Sequence, residues 1–399
     1  MIVIDSDGHM HEPYDLFERY LDKAYWSRRP RIVKIEGHPL DHGRWMFEGK
    51  MAPRMPMTAG VGAGGLRYKG PRHPQMHARD DTLDDVPGRL KDMDQLGIDV
   101  QVVYPTALPW VSDLYDHDLA TACCRAYNDY VANQCRQAPE RLKGVALVPM
   151  QDPSAAAEEA RRAVRELGMV GVTIPGIVGN EPLSHPKFLP FFAAIDELDT
   201  ALGLHAVTGM HYTPWSDCFR DFFSTHITCM PFSMMVGLMS MIRAGLFERF
   251  ANLRVGYLEI GASWLPYWSW WVGHHVEEWE ETSFQGSPDF ADWGEPSYRL
   301  PPTKRPIEYI QAGRIYSGFE TDENLRQVID NVGAGCLMYA SDYPHGDMSW
   351  TRVPETRAMG DLSDAEKDAL LGGNAARFYK LPLTVPAADG QPTATGVRS

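Results

Sequence analysis

The sequence predicts an α/β fold of the (β/α)8 class, a TIM barrel with two inserted loops. Short apolar runs alternate with amphipathic segments of helical period, which is typical of repeated βα units around a parallel sheet. Eight such runs can be counted along the 399 residues. Because barrels of this kind often exceed about 250 residues as one unit, we interpret residues 1–381 as a single domain.

Each predicted strand is a short, mainly apolar run. In chain order the strands are Ile2–Ile4, Val100–Tyr104, Gly144–Pro149, Val170–Ile174, Leu202–Val207, Arg254–Ile260, Arg314–Phe319 and Cys336–Ala340. The predicted helices include Asp118–Ala138, Ser154–Leu167, Phe188–Leu198, Met234–Phe250 and Glu323–Val332. Pro153 and Pro186 lie near predicted helix starts, and Gly168 and Gly333 follow predicted helix ends, as prolines and glycines commonly do.

Two segments interrupt the alternation. Residues 28–80 and 283–306 are rich in Pro, Gly and charged residues and show no helical or strand period. Long irregular segments in compact domains are usually lids, binding loops or oligomer contacts, so we interpret both as insertions and expect a homo-oligomer, most simply a dimer. The small, polar residues of 382–399 predict a flexible tail.

Composition narrows the function classes. The chain has 38 basic and 53 acidic residues and a formal charge of −15, which argues against a nucleic-acid or anionic membrane surface. The sequence has no run of about 18 apolar residues and no basic, apolar leader, so it predicts a cytoplasmic protein. None of the six cysteines forms a C-x-x-C pair, and we interpret them as structural thiols.

Acidic and imidazole side chains fall where predicted strands end, at the edge of the barrel that carries active sites. They are Asp7, His9, His205, Glu259, Asp342 and His345. Asp7 and His9 are two residues apart, so in an extended chain both project from one face. Any one of the six alone would be an ordinary polar residue at a strand end. Together they predict a site for a divalent first-row metal, which mixed imidazole and carboxylate ligands favour.

Four longer motifs span nearly the whole chain: IDSDGHMHEP near the start, FANLRVGYLEIGASWLPYW around the sixth predicted strand, SDYPHGD after the eighth, and GGNAARFYKL near the end. In these motifs the sequence resembles the amidohydrolase superfamily, in the branch of aminocarboxymuconate-semialdehyde decarboxylase and the resorcylate and dihydroxybenzoate decarboxylases. The resemblance implies that Asp7 and His9 are the ligand pair of the first strand. It implies that His205 and Asp342 are the ligands of the fifth and eighth strands.

The sequence departs from this family in two places. The decarboxylases have a catalytic His in a His-Gly-Gly context after the sixth strand, where this chain has Glu259 followed by Ile and Gly. Binuclear hydrolases of the superfamily often have a carboxylated Lys on the fourth strand, and the segment Gly171–Ile174 contains none. Neither the decarboxylase pattern nor the lysine-bridged pattern is complete.

The leading hypothesis adds Glu259 and His275 to the ligands. His275 belongs to a His pair on a tryptophan-rich predicted helix and could also be a surface or packing residue. With Asp7, His9, His205 and Asp342, the set has enough donors for two ions, iron or iron and manganese. The sequence resembles a subset of dinuclear non-heme monooxygenases, including hydroxylases of the platensimycin pathway and of aminoisobutyrate. That resemblance implies O₂ activation, an external electron donor, and hydroxylation of a hydrophobic small molecule or carboxylate.

The alternative is a hydrolase or decarboxylase of a small aromatic carboxylic acid with one zinc or manganese ion. Asp7, His9, His205 and Asp342 would hold the ion, and Glu259 or His345 would act as general acid or base. A third interpretation is a metal-stabilised barrel without its own activity, acting as a subunit of a hetero-oligomer.

The residues after the fifth predicted strand are rich in Met and aromatic side chains. Among them, His211, Trp215, Phe219 and Phe223 are candidates for a hydrophobic substrate pocket next to the metal.

Overall fold

The computed structural model describes residues 2–33, 44–52, 76–79, 81–205, 219, 222–281, 304–345 and 348–383. Eight parallel strands form one sheet in chain order. They are β1 (Ile4–Met10), β2 (Val100–Pro105), β3 (Leu142–Leu147), β4 (Gly171–Ile174), β5 (Ala201–His205), β6 (Arg254–Leu258), β7 (Ile315–Phe319) and β8 (Leu337–Tyr339).

Backbone hydrogen bonds bring the two ends of this sheet together. Asp342 N–H donates to the carbonyl oxygen of Asp7 at 3.0 Å, and His9 N–H donates to that of Tyr343 at 2.7 Å. The segment after β8 therefore bonds to β1, and the sheet is a nearly closed barrel. The predicted TIM-barrel class is confirmed.

Helices lie between successive strands and beyond the last one. They are α1 (Leu16–Tyr20), α2 (Val86–Leu96), α3 (His117–Cys135), α4 (Pro153–Arg165), α5 (Leu189–Leu198), α6 (Phe222–Arg243), α7 (Leu246–Arg249), α8 (Trp264–Glu281), α9 (Pro306–Gln311), α10 (Leu325–Val332), α11 (Arg352–Ala358), α12 (Asp364–Asp368) and α13 (Asn374–Tyr379). Side-chain caps explain several starts: Asp152 accepts from the N–H groups of Ser154 and Ala155 at 3.0 and 3.1 Å as α4 begins.

Two predicted boundaries are wrong in an informative way. β1 continues to Met10 rather than ending at Ile4, so Asp7 and His9 lie within the strand; all seven of its residues are buried. The predicted helix Met234–Phe250 is two helices, because Gly245 takes a left-handed φ of 60° between α6 and α7.

The first predicted insertion contains regular structure. Arg31–Val33, Arg44–Phe47 and Lys50–Ala52 form a small antiparallel sheet. Its Trp45 is buried and packs edge-on against Phe17 of α1. The prediction of an irregular 28–80 loop is therefore wrong for this part. Most of the 283–306 insertion lies outside the described residues, as does the tail from residue 384.

Side chains of α13 fill part of the barrel interior. Phe378 and Tyr379 of α13 pack with Ile4, Val102 and Tyr104 in one core cluster inside the barrel. Tyr379 Oη lies 2.7 Å from Tyr104 Oη and donates to the Ser6 carbonyl at 2.8 Å. The barrel interior is a packed core, not a channel.

Within the described residues, the segment Phe223–Arg243 of α6 is long and apolar enough to cross a membrane, with a mean hydropathy of 1.3. A helix packed against the core of a protein can be equally apolar, and 56% of this apolar stretch is buried. This feature does not indicate a membrane protein.

Candidate metal centre

The first two candidate ligands owe their position to an irregularity in β1. The register with β2 shifts between Asp5 and Gly8, which is a β-bulge, a feature that often re-aims side chains next to active sites. Gly8 is required there because a Cβ atom would come within 2.5 Å of the Gln101 amide nitrogen. That amide donates to Asp5 at 2.7 Å. The bulge and the glycine together fix the strand that carries Asp7 and His9.

Four predicted ligands converge at the mouth of the barrel. His9 Nε2 lies 3.3 Å from Asp7 Oδ1 and 3.6 Å from Asp342 Oδ1. His205 Nε2 lies 3.1 Å from His9 Nε2 and 3.7 Å from Asp7 Oδ2. All four residues are buried. The structure therefore brings Asp7, His9, His205 and Asp342 into one cluster.

Glu259 and His345 border this cluster and are more accessible than the four. Glu259 Oε2 lies 2.8 Å from His205 Nε2, and His345 Nδ1 lies 2.6 Å from Asp342 Oδ1. Their side chains are 16% and 11% exposed, against 0% for Asp7 and His9. Glu259 has a φ of 62° and Asp342 a φ of 57°, a left-handed conformation that is costly for residues with a Cβ. Such strain at the ends of two strands of one barrel is typical of functional sites.

Burial and the charges of the cluster shift the pKa values of its members in opposite directions. Burial raises the pKa of Asp7 to about 7, against the attraction of His205 and with a contribution from Glu259. Burial also disfavours a charged His205, but the carboxylates of Glu259 and Asp7 outweigh it and raise the pKa of His205 to about 9. Burial and the neighbouring imidazoles hold the pKa of His9 well below its ordinary value.

The residues fit a divalent cation. Both carboxylate oxygens of Asp7 are buried and have no hydrogen-bond partner among the described residues. Donor atoms that share an ion at about 2.1 Å are separated by roughly 3.0–3.4 Å, close to the separations seen here. Asp7, His9 and His205 form one group of potential ligands, and His9, Asp342 and His345 form another. Nitrogen and carboxylate donors suit zinc, manganese or iron.

The structure does not bring His275 to these groups. His275 is exposed on α8, and its Nδ1 lies 2.9 Å from the carbonyl oxygen of Trp271. Residues four apart on a helix are neighbours, so the His275 ring contacts the preceding turn of α8 and does not extend to the barrel mouth.

Among the predicted pocket residues, Phe223 is 72% exposed on α6 and Phe219 is half-buried. His211 and Trp215 lie outside the described residues.

Sequence reasoning missed the polar side chains beneath the cluster. Asp5 is buried and accepts from Ser341 N–H at 2.8 Å and Ser341 Oγ at 2.6 Å. Arg89 of α2 is fully buried, donates to Gln101 Oε1 at 2.8 Å and bonds to the His9 carbonyl oxygen. Asp5 had a signal in the sequence, since it precedes Asp7 by two residues. A single Arg in an amphipathic helix had none.

Comparison with known proteins identifies the family. The sequence profile of the family described as Amidohydrolase matches residues 6–381. The chain belongs to the amidohydrolase family. The chain is 26% identical over 318 residues to the γ-resorcylate decarboxylase of Rhodococcus jostii strain RHA1, and the match covers 77% of this chain and 90% of that protein. It is 26% identical over 302 residues to the 2-amino-3-carboxymuconate-6-semialdehyde decarboxylase of Dictyostelium discoideum, which covers 73% and 76%.

A solved structure adds a metal to the comparison. The chain is 26% identical to the 5-carboxyvanillate decarboxylase of Novosphingobium aromaticivorans, with a TM-score of 0.64 over 79% of this chain and 85% of that one. That structure holds manganese and 4-hydroxy-3-methoxy-5-nitrobenzoic acid. The protein is thus a metal-dependent enzyme of the amidohydrolase fold. The comparisons favour the decarboxylase alternative and give no support to the leading hypothesis of an iron-dependent monooxygenase.

Proposed function

We propose that this protein decarboxylates a small, hydroxylated aromatic carboxylic acid with the help of one divalent cation, manganese or zinc. The observation that carries the proposal is the buried donor set of Asp7, His9, His205 and Asp342 at the barrel mouth. The decarboxylases to which the chain is similar act on aromatic or unsaturated carboxylates, as their names state. The cation, when bound, supplies a Lewis acid that orients a substrate oxygen and stabilises negative charge on it.

Side chains of the protein must deliver a proton to the substrate. In decarboxylation the bond between the ring carbon and the carboxylate breaks, CO₂ leaves, and the same ring carbon takes up a proton. Asp7 and His9 are fully buried and would be engaged by the cation, so they are not the groups that pass a proton to the substrate. Glu259 and His345 are the partly exposed groups of the site, so we assign the proton transfer to them.

Glu259 is the stronger candidate of the two. It takes the place after the sixth strand where the decarboxylases that the sequence resembles have a catalytic His. Its left-handed backbone turns its carboxylate to within 2.8 Å of His205 Nε2, at the edge of the buried cluster. A carboxyl group becomes an anion when it gives up its proton, whereas an imidazolium becomes neutral, so we expect a substrate range or pH profile unlike that of the relatives.

The experiment combines metal analysis with product analysis. Protein purified without chelator should contain about one equivalent of manganese or zinc per chain, and should release CO₂ from a panel of hydroxybenzoates that includes γ-resorcylate and 5-carboxyvanillate. Glu259→Gln should keep the metal and lose about 100-fold or more in turnover. Glu320→Gln changes another glutamate just past a barrel strand and should keep both the metal and the turnover of the unmodified protein.

One combination of results would contradict the proposed decarboxylase activity. About two equivalents of iron per chain, together with O₂ consumption that requires a reductant and no CO₂ release from the panel, would refute the decarboxylase proposal. It would restore the two-metal monooxygenase hypothesis.

A further inference from the structure

Glu12 is a buried carboxylate that lies outside the group of candidate metal ligands. Its side chain is 2% exposed and lies just after β1. Its carboxylate accepts backbone N–H groups from three consecutive residues after β2: Thr106 at 3.0 Å, Ala107 at 2.9 and 3.1 Å, and Leu108 at 3.0 Å. One buried carboxylate thus holds the whole turn that follows β2.

The same turn contacts His9. The Pro105 carbonyl oxygen lies 3.2 Å from His9 Nδ1. A carbonyl oxygen only accepts hydrogen bonds, so His9 Nδ1 carries the hydrogen and Nε2 has the free lone pair. Nε2 is the nitrogen that faces Asp7, His205 and Asp342. The turn therefore directs the metal-binding nitrogen of His9 into the cluster.

The turn also contacts His345. Thr106 Oγ1 lies 2.9 Å from His345 Nε2, and His345 Nδ1 lies 2.6 Å from Asp342 Oδ1. In a neutral imidazole one nitrogen donates and the other accepts. With Nδ1–H donating to the carboxylate, Nε2 accepts from the Thr106 hydroxyl. The rings of His345 and His9 are stacked with centroids 4.2 Å apart, so a shift of either ring displaces the other.

We propose that Glu12 and Thr106 are positioning residues: the turn Pro105–Leu108, held by the Glu12 carboxylate, sets the ring orientation and tautomer of His9 and His345. In metal sites, groups that bond to the second nitrogen of a histidine fix its tautomer and direction. The assignment of metal binding to His9 rests on the proposed function, but the hydrogen bonds to both rings do not.

A purely structural role for Glu12 makes a different prediction. The 3₁₀ helix Leu108–Asp113 begins inside this turn, and a carboxylate at a helix start stabilises it by accepting its first N–H groups. Such a cap would affect stability alone, and it would not need a hydroxyl group at position 106. Asp152, which accepts two N–H groups at the start of α4 and is absent from the metal centre, is the matched control.

The test uses the full-length, metal-free protein labelled with [¹⁵N]histidine. Long-range ¹H–¹⁵N correlation spectra report which ring nitrogen carries the hydrogen, and the His9→Gln and His345→Gln variants assign the signals. We expect the Nδ1–H tautomer for both rings. Glu12→Gln should shift the ring signals of both histidines. Thr106→Val should shift those of His345 most and those of His9 less, through the stacked ring. Thr106→Ser and Asp152→Asn should shift neither.

Manganese binding, followed by electron paramagnetic resonance with Mn²⁺ alone, is the second measurement. Glu12→Gln should weaken the affinity about 10-fold or more, as loss of such an outer contact typically does. Asp152→Asn should leave it within about threefold while lowering thermal stability comparably.

Unchanged ring signals in Glu12→Gln, or the Nε2–H tautomer for His9 in the unmodified protein, would overturn the proposal. If Glu12→Gln does not fold, the Thr106→Val and Thr106→Ser pair decides it, because both leave the three backbone bonds to Glu12 intact. Neither measurement requires a substrate. A protein that shows the expected shifts but releases no CO₂ would refute the proposed function and keep this inference.

Discussion

Two groups of histidines in this protein look alike in the sequence and differ in the structure. His9, His205 and His345 lie at the ends of barrel strands, bordered by Asp7, Asp342 and Glu259. His274 and His275 lie on α8 among aromatic rings: His274 stacks on Trp270 with centroids 5.6 Å apart, and His275 contacts Trp271 at 4.2 Å. The first group faces carboxylates in a buried site, whereas the second is exposed on the surface of the barrel.

The difference teaches which sequence feature carries information about a metal site. Adjacent residues on a helix diverge by about 100°, so a His-His pair cannot direct both rings to one ion without help from elsewhere. Parallel strands, in contrast, deliver their last residues to a common edge, so single histidines far apart in the sequence meet there. The position relative to the strand end is therefore more informative than the local density of histidines.

Removal of one buried ligand should give the largest effect. Asp7→Asn keeps the size of the side chain and removes the charge of a carboxylate whose two oxygens have no hydrogen-bond partner among the described residues. We expect the bound manganese or zinc to fall below about a tenth of an equivalent and turnover to fall by about 1000-fold. Elemental analysis and CO₂ release measure both. Full metal occupancy in this variant would exclude Asp7 as a ligand.

The pH dependence of metal binding should be large and of known sign. In the metal-free protein the pKa of Asp7 is about 7 and that of His205 about 9, and a cation must displace both protons. Affinity for Mn²⁺ should therefore rise steeply up to pH 7, by about tenfold per pH unit between 7 and 9, and then level off. Titration at a series of pH values measures it. A flat profile would show that these two groups do not bind the ion.

The surface pair should give the smallest effect. Replacement of His274 and His275 by Ala removes two exposed rings and their stacking on tryptophans. We expect metal content and turnover to stay within about twofold and stability to change by less than about 1 kcal/mol. Loss of a metal equivalent in this variant would show that His275 binds the ion, and it would contradict the difference between the two groups of histidines.

The fold and the centre of the site were accessible from sequence patterns, with identifiable limits. The eight strands could be located because parallel barrel strands are buried, apolar and regularly spaced. The end of β1 could not, because Asp5, Asp7 and His9 lie past the apolar run Ile2–Ile4. Distant partners accompany their burial in the strand: Gln101 and Ser341 bond to Asp5, and Arg89 bonds to the His9 carbonyl oxygen. Burial of charged residues depends on partners far away in the chain, which periodicity does not report.

By itself, the sequence determined the barrel and the donors of its mouth, since each depends on local patterning: apolar runs of strand length, and Asp or His at their ends. Only the tertiary structure decided which side chains surround those donors. It separated His275 from the site and linked Glu12 to His9 and His345 through a turn some 94 residues away. The physical reason is that hydrogen bonds and burial require contact in space, and the closed barrel creates contacts between strands that are distant in the chain.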